Sequence, residues 1–513
     1  MPAAVREFIL RSRPLLAVAA VLAWLAVAAP AAATQITVTT TEDEMTTDGD
    51  CSLREAFRAA NANTARDACP AGSSASSDTI VLAADAVYSL TIPSSGTNDS
   101  GATGALVVLS NPATTDLQIT VAGGGVATIS QDAVPDDRVL VLANGVSVGI
   151  DGVTIENGTL TTASARGAGI LTGSGSRLVL SNCGIRQNRS LDSGGGIRSG
   201  GELIIQDSSF DSNFTSGSGG AISTGTGSSL IVDGTRFANN VASGAFSDGG
   251  AIESTEQMSI TDSTFVNNLA KTSGGAIAHF DDVPDMASIS QSCFVGNAAG
   301  VTGNAVDVFF GSEDLAAGGN WWGAVNGPSG QGVGGGDGVG QRVDFSAFEV
   351  QPHAGCLPFE LVGNGGFQAG FDSEKIPDRW TSSFLGANDG RACGETGACV
   401  VKIRGNGAVK RLAHTIVHAG AAGDAFTFKA RSRAKDVPNT SGAYQAILTI
   451  NHVDGSKQTV NLTFSTGKHG FERKTKAVVA SEPYTSMQVA IEYGKVGGLV
   501  RFDSVSLLLE SQV

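Results

Sequence analysis

Between residues 170 and 297 the apolar positions return at a nearly fixed interval. Gly-Gly-Ala-Ile stands at Gly219–Ile222, Gly249–Ile252 and Gly274–Ile277, with a close variant at Gly194–Ile197. With Ile170, the isoleucines are spaced 27, 25, 30 and 25 residues apart. Each copy is followed by a short β-branched run, such as Leu203-Ile204-Ile205 or Leu230-Ile231-Val232, and then by Phe-x-x-Asn. Gly, Ser and Asp bound these runs, which is turn chemistry. A period in the twenties signals one structural unit stacked on itself. Strands this short cannot bury a face alone, so equivalent residues must stack from turn to turn.

That stacking predicts three ladders. Ile197, Ile222, Ile252 and Ile277 form one inward aliphatic column, and Ile185, Phe210, Phe237, Phe265 and Phe294 a second. Asn188, Asn213, Asn240, Asn268 and Asn297 form a buried amide column. Two of these asparagines begin Asn-x-Ser/Thr sequences (Asn188-Arg189-Ser190 and Asn213-Phe214-Thr215), so glycosylation there contradicts the fold. The leucine offsets of a leucine-rich repeat and the Gly-Gly-x-Gly-x-Asp of a calcium roll are missing. A parallel β-helix with about 25–30 residues per turn fits the period.

Two other stretches break this pattern. Leu53, Ala56, Phe57 and Ala60 fall at helical spacing behind a Ser52-x-x-Glu55 capping box. A helix over 53–62, tethered by a Cys51–Cys69 disulfide, would plug the open first turn of the solenoid. Beyond Cys356 the chain alternates with period two through Ala398–Ile403, Ala425–Ala430, Tyr444–Ile450, Thr459–Phe464, Ser486–Ile491 and Val500–Leu509, which predicts an antiparallel β-sandwich. The fold class expected is all-β: a capped parallel β-helix over 34–356 and a sandwich over 357–513. Gly330–Gly340 is expected to be a loose glycine-rich loop.

Residues 1–33 stand apart. Arg6, Arg11 and Arg13 precede an apolar stretch from Pro14 to Ala29 and then Ala31-Ala32-Ala33, the layout of a secretory signal with cleavage after Ala33. The stretch falls short of the roughly 20 residues that span a bilayer, and no later segment reads as a transmembrane helix. Export permits disulfides. The pairings favoured for the seven cysteines are Cys51–Cys69, Cys293–Cys356 and Cys393–Cys399, with Cys183 left over, although spacing does not fix connectivity.

The formal charge of −16 is divided unevenly. Residues 34–356 carry 12 Lys and Arg against 34 Asp and Glu, a net of −22, whereas 357–513 carry 18 against 14, a net of +4. This break supports a boundary near Cys356. It also argues against nucleic acid as a partner of the larger part, because phosphate contacts need clustered Lys and Arg.

Gly-Gly-Ala-Ile paired with Phe-x-x-Asn resembles the repeats of the chlamydial polymorphic outer membrane proteins. Cys51-Ser52-Leu53-Arg54-Glu55-Ala56 matches the signature for which CSLREA-domain proteins are named. The resemblance implies an exported right-handed β-helix and an adhesive role. It does not carry over the terminal membrane barrel of the polymorphic proteins. Asn364-Gly365-Gly366-Phe367 and Val500–Leu507 resemble the terminal strands of carbohydrate-binding-module jelly rolls. That resemblance implies a glycan ligand and a structural Ca²⁺ at Asp503. The family frequently has two acids there, and here the second position is Ser504.

Candidate ligand contacts are Trp380, Arg379, Asp378 and Tyr444, with Tyr484 and Tyr493 as further aromatics and Trp321-Trp322 as a stacking pair. Each of these aromatics has a core reading too. His414, His418, His452 and His469 read as surface residues. No catalytic residue is assigned. A β-elimination lyase needs a cationic base, and 34–356 hold a single lysine, Lys271. The polygalacturonase signatures are missing, and Asp281-Asp282 stands without their other parts. Asp207, Asp233 and Asp262 recur from turn to turn and read as turn residues. The function expected is an exported, non-enzymatic binding or adhesion protein that recognises polysaccharide or glycoconjugate surfaces, without an organic cofactor. The alternatives are a polysaccharide lyase or hydrolase built on the β-helix, and a structural envelope or matrix protein.

Overall fold

The computed structural model describes residues 34–512 apart from 75, 96–100, 111–115, 133–136, 281–286, 311–313, 364, 368–374, 378, 394–398 and 417. Residues 1–33, where a secretory signal is expected, and Asp281-Asp282, Asn364 and Asp378 lie outside the described residues.

The period becomes a parallel β-solenoid. Its strands stack into sheets of eleven, ten, eight and five members, in which successive turns of the repeat supply neighbouring strands. The registers are those of the repeat. Ile170, Ile197, Ile222, Ile252, Ile277 and Val306 lie directly over one another, as do Ile185, Phe210, Phe237, Phe265 and Phe294. Phe rings of adjacent turns stack with centroids 4.8–5.0 Å apart, close to the strand spacing of about 4.8 Å. Trp322 continues the column, 4.6 Å from Phe294.

The amide column also forms. From Asn188 to Asn268 each asparagine Nδ2 donates to the Oδ1 of the next turn's asparagine, for example Asn213 to Asn240 at 3.0 Å, and to a main-chain carbonyl, here Ile185 O at 2.8 Å. The corner of Gly-Gly-Ala-Ile shows why both glycines are needed. Gly219 has φ of +71°, and a Cβ on Gly220 would lie 2.1 Å from the Gly250 carbonyl of the next turn. At the corner after the long strand, Asp207 and Asp262 take left-handed backbone with φ of +47° and +46°. Asp233 falls one residue earlier, and Gly234 takes the corner instead.

The helix α1, Leu53–Ala62, forms with its capping box. Ser52 Oγ accepts from Glu55 N at 3.2 Å, and Glu55 Oε2 accepts from Ser52 N at 3.1 Å. Its apolar face buries Leu53, Ala56, Phe57 and Ala60 in the solenoid core. Asn61 then covers an edge: its Nδ2 donates to Val107 O at 2.7 Å and its Oδ1 accepts from Leu109 N at 2.9 Å. Leu106–Val108 is the outermost strand of the ten-stranded sheet, so this amide occupies positions a further strand would pair with.

The three favoured disulfides form, and Cys183 is buried as a free thiol. Gly330–Gly340 differs from expectation. Pro328–Gly330 and Gly336–Val339 pair as strands of the ten-stranded sheet, because Gly334 and Gly336 pass against main-chain carbonyls where a side chain has no room.

After Cys356 two antiparallel sheets face one another. One runs Gly390–Cys393, Cys399–Arg404, Leu499–Ser511, Ala425–Val437, Gly467–Val479. The other runs Thr381–Ser383, Lys410–Ile416, Tyr484–Tyr493, Tyr444–His452, Lys457–Thr463. Their shared core extends onto the last solenoid turns through Val266, Val295 and Trp321, which stacks on Phe359 at 5.3 Å.

Candidate functional site

Burial sorts the aromatic candidates first. Trp380, Tyr444, Trp321 and Trp322 are 5%, 2%, 0% and 0% exposed, so none presents a ring face to a ligand. This corrects the platform reading of all four. Trp380 packs edge-on against Phe367 at 5.2 Å, and the Tyr444 hydroxyl bonds Ser432 Oγ at 2.9 Å inside the core. Tyr484 and Tyr493 are equally buried. The histidines also differ from expectation, since His414, His418 and His452 lie inside the fold. Burial pushes His414 and His418 down to about 4, so both are neutral at pH 7.

Arg379 faces the solenoid. Its guanidinium donates to Gly296 O at 2.9 Å and Asn268 O at 2.7 Å, which ties the second part of the chain to the amide corner of the first. Asp503 Oδ2 accepts from Arg431 Nη1 at 2.9 Å, so a guanidinium balances its charge. Three other carboxylates, of Glu44, Asp48 and Asp50, come within 4.8 Å of one another beside the cap. Thr46 Oγ1 is shared between Glu44 at 2.6 Å and Asp48 at 3.0 Å.

What the second sheet offers outward is polar. In Lys410–Ile416 the inward positions are Lys410, Leu412, His414 and Ile416, so Arg411, Ala413 and Thr415 face out. The register sets three rows across the sheet: Arg411–Glu492–Gln445, Ala413–Ala490–Ile447–Asn461, and Thr415–Gln488–Thr449–Thr459. Arg411 pairs with Glu492 and also donates to Gln488 Oε1 at 2.7 Å. Its side chain therefore crosses the middle row, whose two alanines leave room for it. Gln445 Nε2 donates to Glu492 Oε2 at 3.2 Å. The result is a braced guanidinium flanked by amides and hydroxyls, with one cation and one anion and no net charge. Among the described residues, no aromatic side chain occupies these three rows.

A second polar group lies on the ten-stranded solenoid sheet. Arg198, Ser223, Glu253, Ala278 and Asp307 form one outward column. Arg198 donates to Ser223 Oγ at 2.7 Å, and Ser223 donates to Glu253. Asp248 precedes the Gly-Gly of its turn, where other turns carry Ser193, Ser218, Ser273 or Thr302. Burial raises its carboxyl to about 6, against the Ser273 N–H that lowers it, and the charges of Glu253 and Asp307 raise it further. Burial likewise raises Glu253, opposed by Ser223 and Arg198. Both carboxyls are thus shifted toward the protonated form, and a raised carboxyl is one requirement of general acid catalysis. Phe280 and Phe309, stacked 4.7 Å apart, end two strands of the same sheet.

Reading the sequence for what recurs misses both groups. Asp248 and Glu253 are departures from the repeat, and that is the signal that finds them. Arg411, Gln445, Gln488 and Glu492 are marked only by falling on the outward phase of their strands.

No curated protein matches this chain. Among solved structures, TmCBM61 in complex with beta-1,4-galactotriose matches at 14% identity over 30% of this chain and 99% of its own, with a TM-score of 0.22. The CBM22-1 xylan-binding domain from Paenibacillus barcinonensis Xyn10C matches at 13% identity over 30% and 97%, with a TM-score of 0.23. The enzymatically active domain of bacteriophage CBA120 tailspike protein 4 matches at 12% identity over 84% and 64%, with a TM-score of 0.24. The family description "right handed beta helix region" matches residues 120–312, and this part of the solenoid is similar to that family.

Proposed function

We propose that this chain is an exported glycan-binding protein, with the outward face of the Lys410–Ile416 and Tyr484–Tyr493 strands as the site and the solenoid as its scaffold. The observation that carries the reading is the Arg411–Glu492–Gln488 arrangement. Sugar hydroxyls both donate and accept, and a neutral array of guanidinium, carboxylate and amides offers partners for each role. Glu492 is tied to Arg411, so the face holds orientation rather than a free acid or base. Three disulfides support a compartment outside the reducing cytoplasm. Among the described residues, no helix is long and apolar enough to cross a membrane.

The test is a neutral-glycan array probed with the full chain and with the double variant Arg411→Ala/Gln488→Ala. A hydrogen bond to a charged group contributes about 1.5–3 kcal/mol, so the variant should bind roughly 10-fold or more weakly. Binding that is unchanged in the variant, or absent across the array, overturns the reading.

The Asp248–Glu253–Asp307 group favours a second reading, glycoside hydrolysis on the solenoid face. Here Asp248 is the acid and Glu253 the partner carboxylate. Release of reducing ends from a polysaccharide panel, lost on Asp248→Asn and on Glu253→Gln, is the expected result. No release from any member of the panel sinks it.

A further inference from the structure

The outward face of the other C-terminal sheet is strongly basic, and the interactions described so far do not use it. Lys402, Arg501 and Arg433 stand in direct register on three adjacent strands. Arg404 and Lys435 flank Leu499 one row away in the same way. Phe502 and Ala434 next to them point into the core, which fixes all five cations on the outer side. Among the described residues, none of the five forms an ion pair with a carboxylate; Asp503 is taken by Arg431. Like charges placed opposite one another across strands disfavour the fold. Such a row is therefore costly unless something anionic lies along it. The surrounding charge sharpens the contrast, since 357–513 carry a net of +4 on a chain whose remainder is strongly acidic.

We propose that this face binds a linear anionic polysaccharide, one bearing carboxylate or sulfate groups along an extended chain. The row Lys402–Arg501–Arg433 crosses the strands, so its cations repeat at about 4.8 Å, and guanidinium forks match carboxylate and sulfate oxygens. Nucleic acid fits less well. Single-strand binders combine cations with open aromatic platforms. Here Phe471 is only partly exposed, and the guanidiniums of Arg431 and Arg433 already lie against its ring, 4.5 and 4.9 Å from its centroid. A second copy, whose solenoid is acidic, is the competing occupant that sedimentation tests. The face lies on the opposite sheet from the Arg411 rows and stands independently of them.

The test titrates the full chain with polygalacturonate and with dextran sulfate, using uncharged dextran and duplex and single-stranded DNA as comparisons, at low and at high salt. The variant is Lys402→Ala/Arg433→Ala/Arg501→Ala. The expected result is salt-sensitive binding of at least one anionic polysaccharide, weakened on the order of 100-fold in the variant. Its melting temperature should stay close to that of the parent, because the repulsion removed offsets the lost contact of Arg433 with Phe471. That stability readout separates a lost surface from a lost fold. The proposal is overturned if no anionic polysaccharide binds at low salt, if the variant binds as the parent does, if DNA binds more tightly than either polyanion, or if sedimentation shows that the variant abolishes a salt-sensitive dimer instead.

Discussion

Arg54→Ala is expected to destabilise the protein by about 3–5 kcal/mol, the usual cost of removing one partner from a buried ion pair. Arg54 and Asp43 are 0% and 2% exposed at their side chains. The guanidinium grips both carboxylate oxygens, from Nε at 2.6 Å and Nη2 at 2.9 Å. It also donates to Gly101 O at 3.0 Å and Gly104 O at 2.9 Å. Asp43 in turn accepts from Thr91 N and Ile92 N at 2.7 and 2.9 Å. One side chain of α1 therefore ties the cap to two separate stretches of the first turns. Alanine leaves a buried carboxylate without its cation and two carbonyls without donors. Arg54→Lys should recover little, since an ammonium cannot make the two-point grip. Arg54→Met combined with Asp43→Asn should be less damaging than Arg54→Ala alone, because no unpaired charge remains. Urea unfolding followed by far-UV circular dichroism measures all three. A loss for Arg54→Ala smaller than about 1 kcal/mol, the range of an exposed ion pair, would falsify the buried-clamp account.

The same residue shows how far a sequence can be read. Ser52, Glu55 and the apolar spacing announce α1, but nothing in the order of residues tells Arg54 to turn inward to a partner eleven positions earlier. The solenoid was legible because its information is repeated. Phe210, Phe237, Phe265 and Phe294 each point to one column, and the stack follows from the period alone. Trp322 belongs to that column too, yet it follows Phe294 without its own Phe-x-x-Asn and so reads as an isolated aromatic. The C-terminal part carries no repeat. Tryptophan and tyrosine draw attention there because they are rare, while strand phase decides their place. His414 sits between Leu412 and Ile416 on the inward phase and is buried, whereas Arg411 and Gln488 fall outward. Arg411, Glu492 and Gln445 lie on three separate strands and form one row only in the folded register.

In the amide column, Asn240→Ala is expected to cost on the order of 4 kcal/mol, because it strands several buried groups at about 1–3 kcal/mol each. Asn240 Oδ1 accepts from Asn213 N and Nδ2 at 3.1 and 3.0 Å, while its Nδ2 donates to Asn268 Oδ1 at 2.9 Å and Phe210 O at 3.0 Å. Asn240→Asp tests the direction of this chain. The second oxygen would face Phe210 O and Asn268 Oδ1, both acceptors, in a site with no solvent. The carboxyl can remain only by keeping its proton, so its folded pKa must rise. A group with a raised folded pKa gives stability that is full below its unfolded value and is lost as pH climbs through the folded one. Asn240→Asp should therefore be much less stable at pH 7 than at pH 4, relative to the parent. The column's last member shows the contrast. Asp337 accepts from Gly296 N at 2.9 Å and from Asn297 N and Nδ2 at 2.9 and 2.7 Å, all of them donors. Burial still raises it to about 6, against those donors and Arg379, so the parent itself should lose some stability between pH 4 and pH 6. Thermal unfolding across this range separates the two sites. An Asn240→Asp protein as stable as the parent at pH 7 would mean that the amides do not run donor to acceptor from turn to turn.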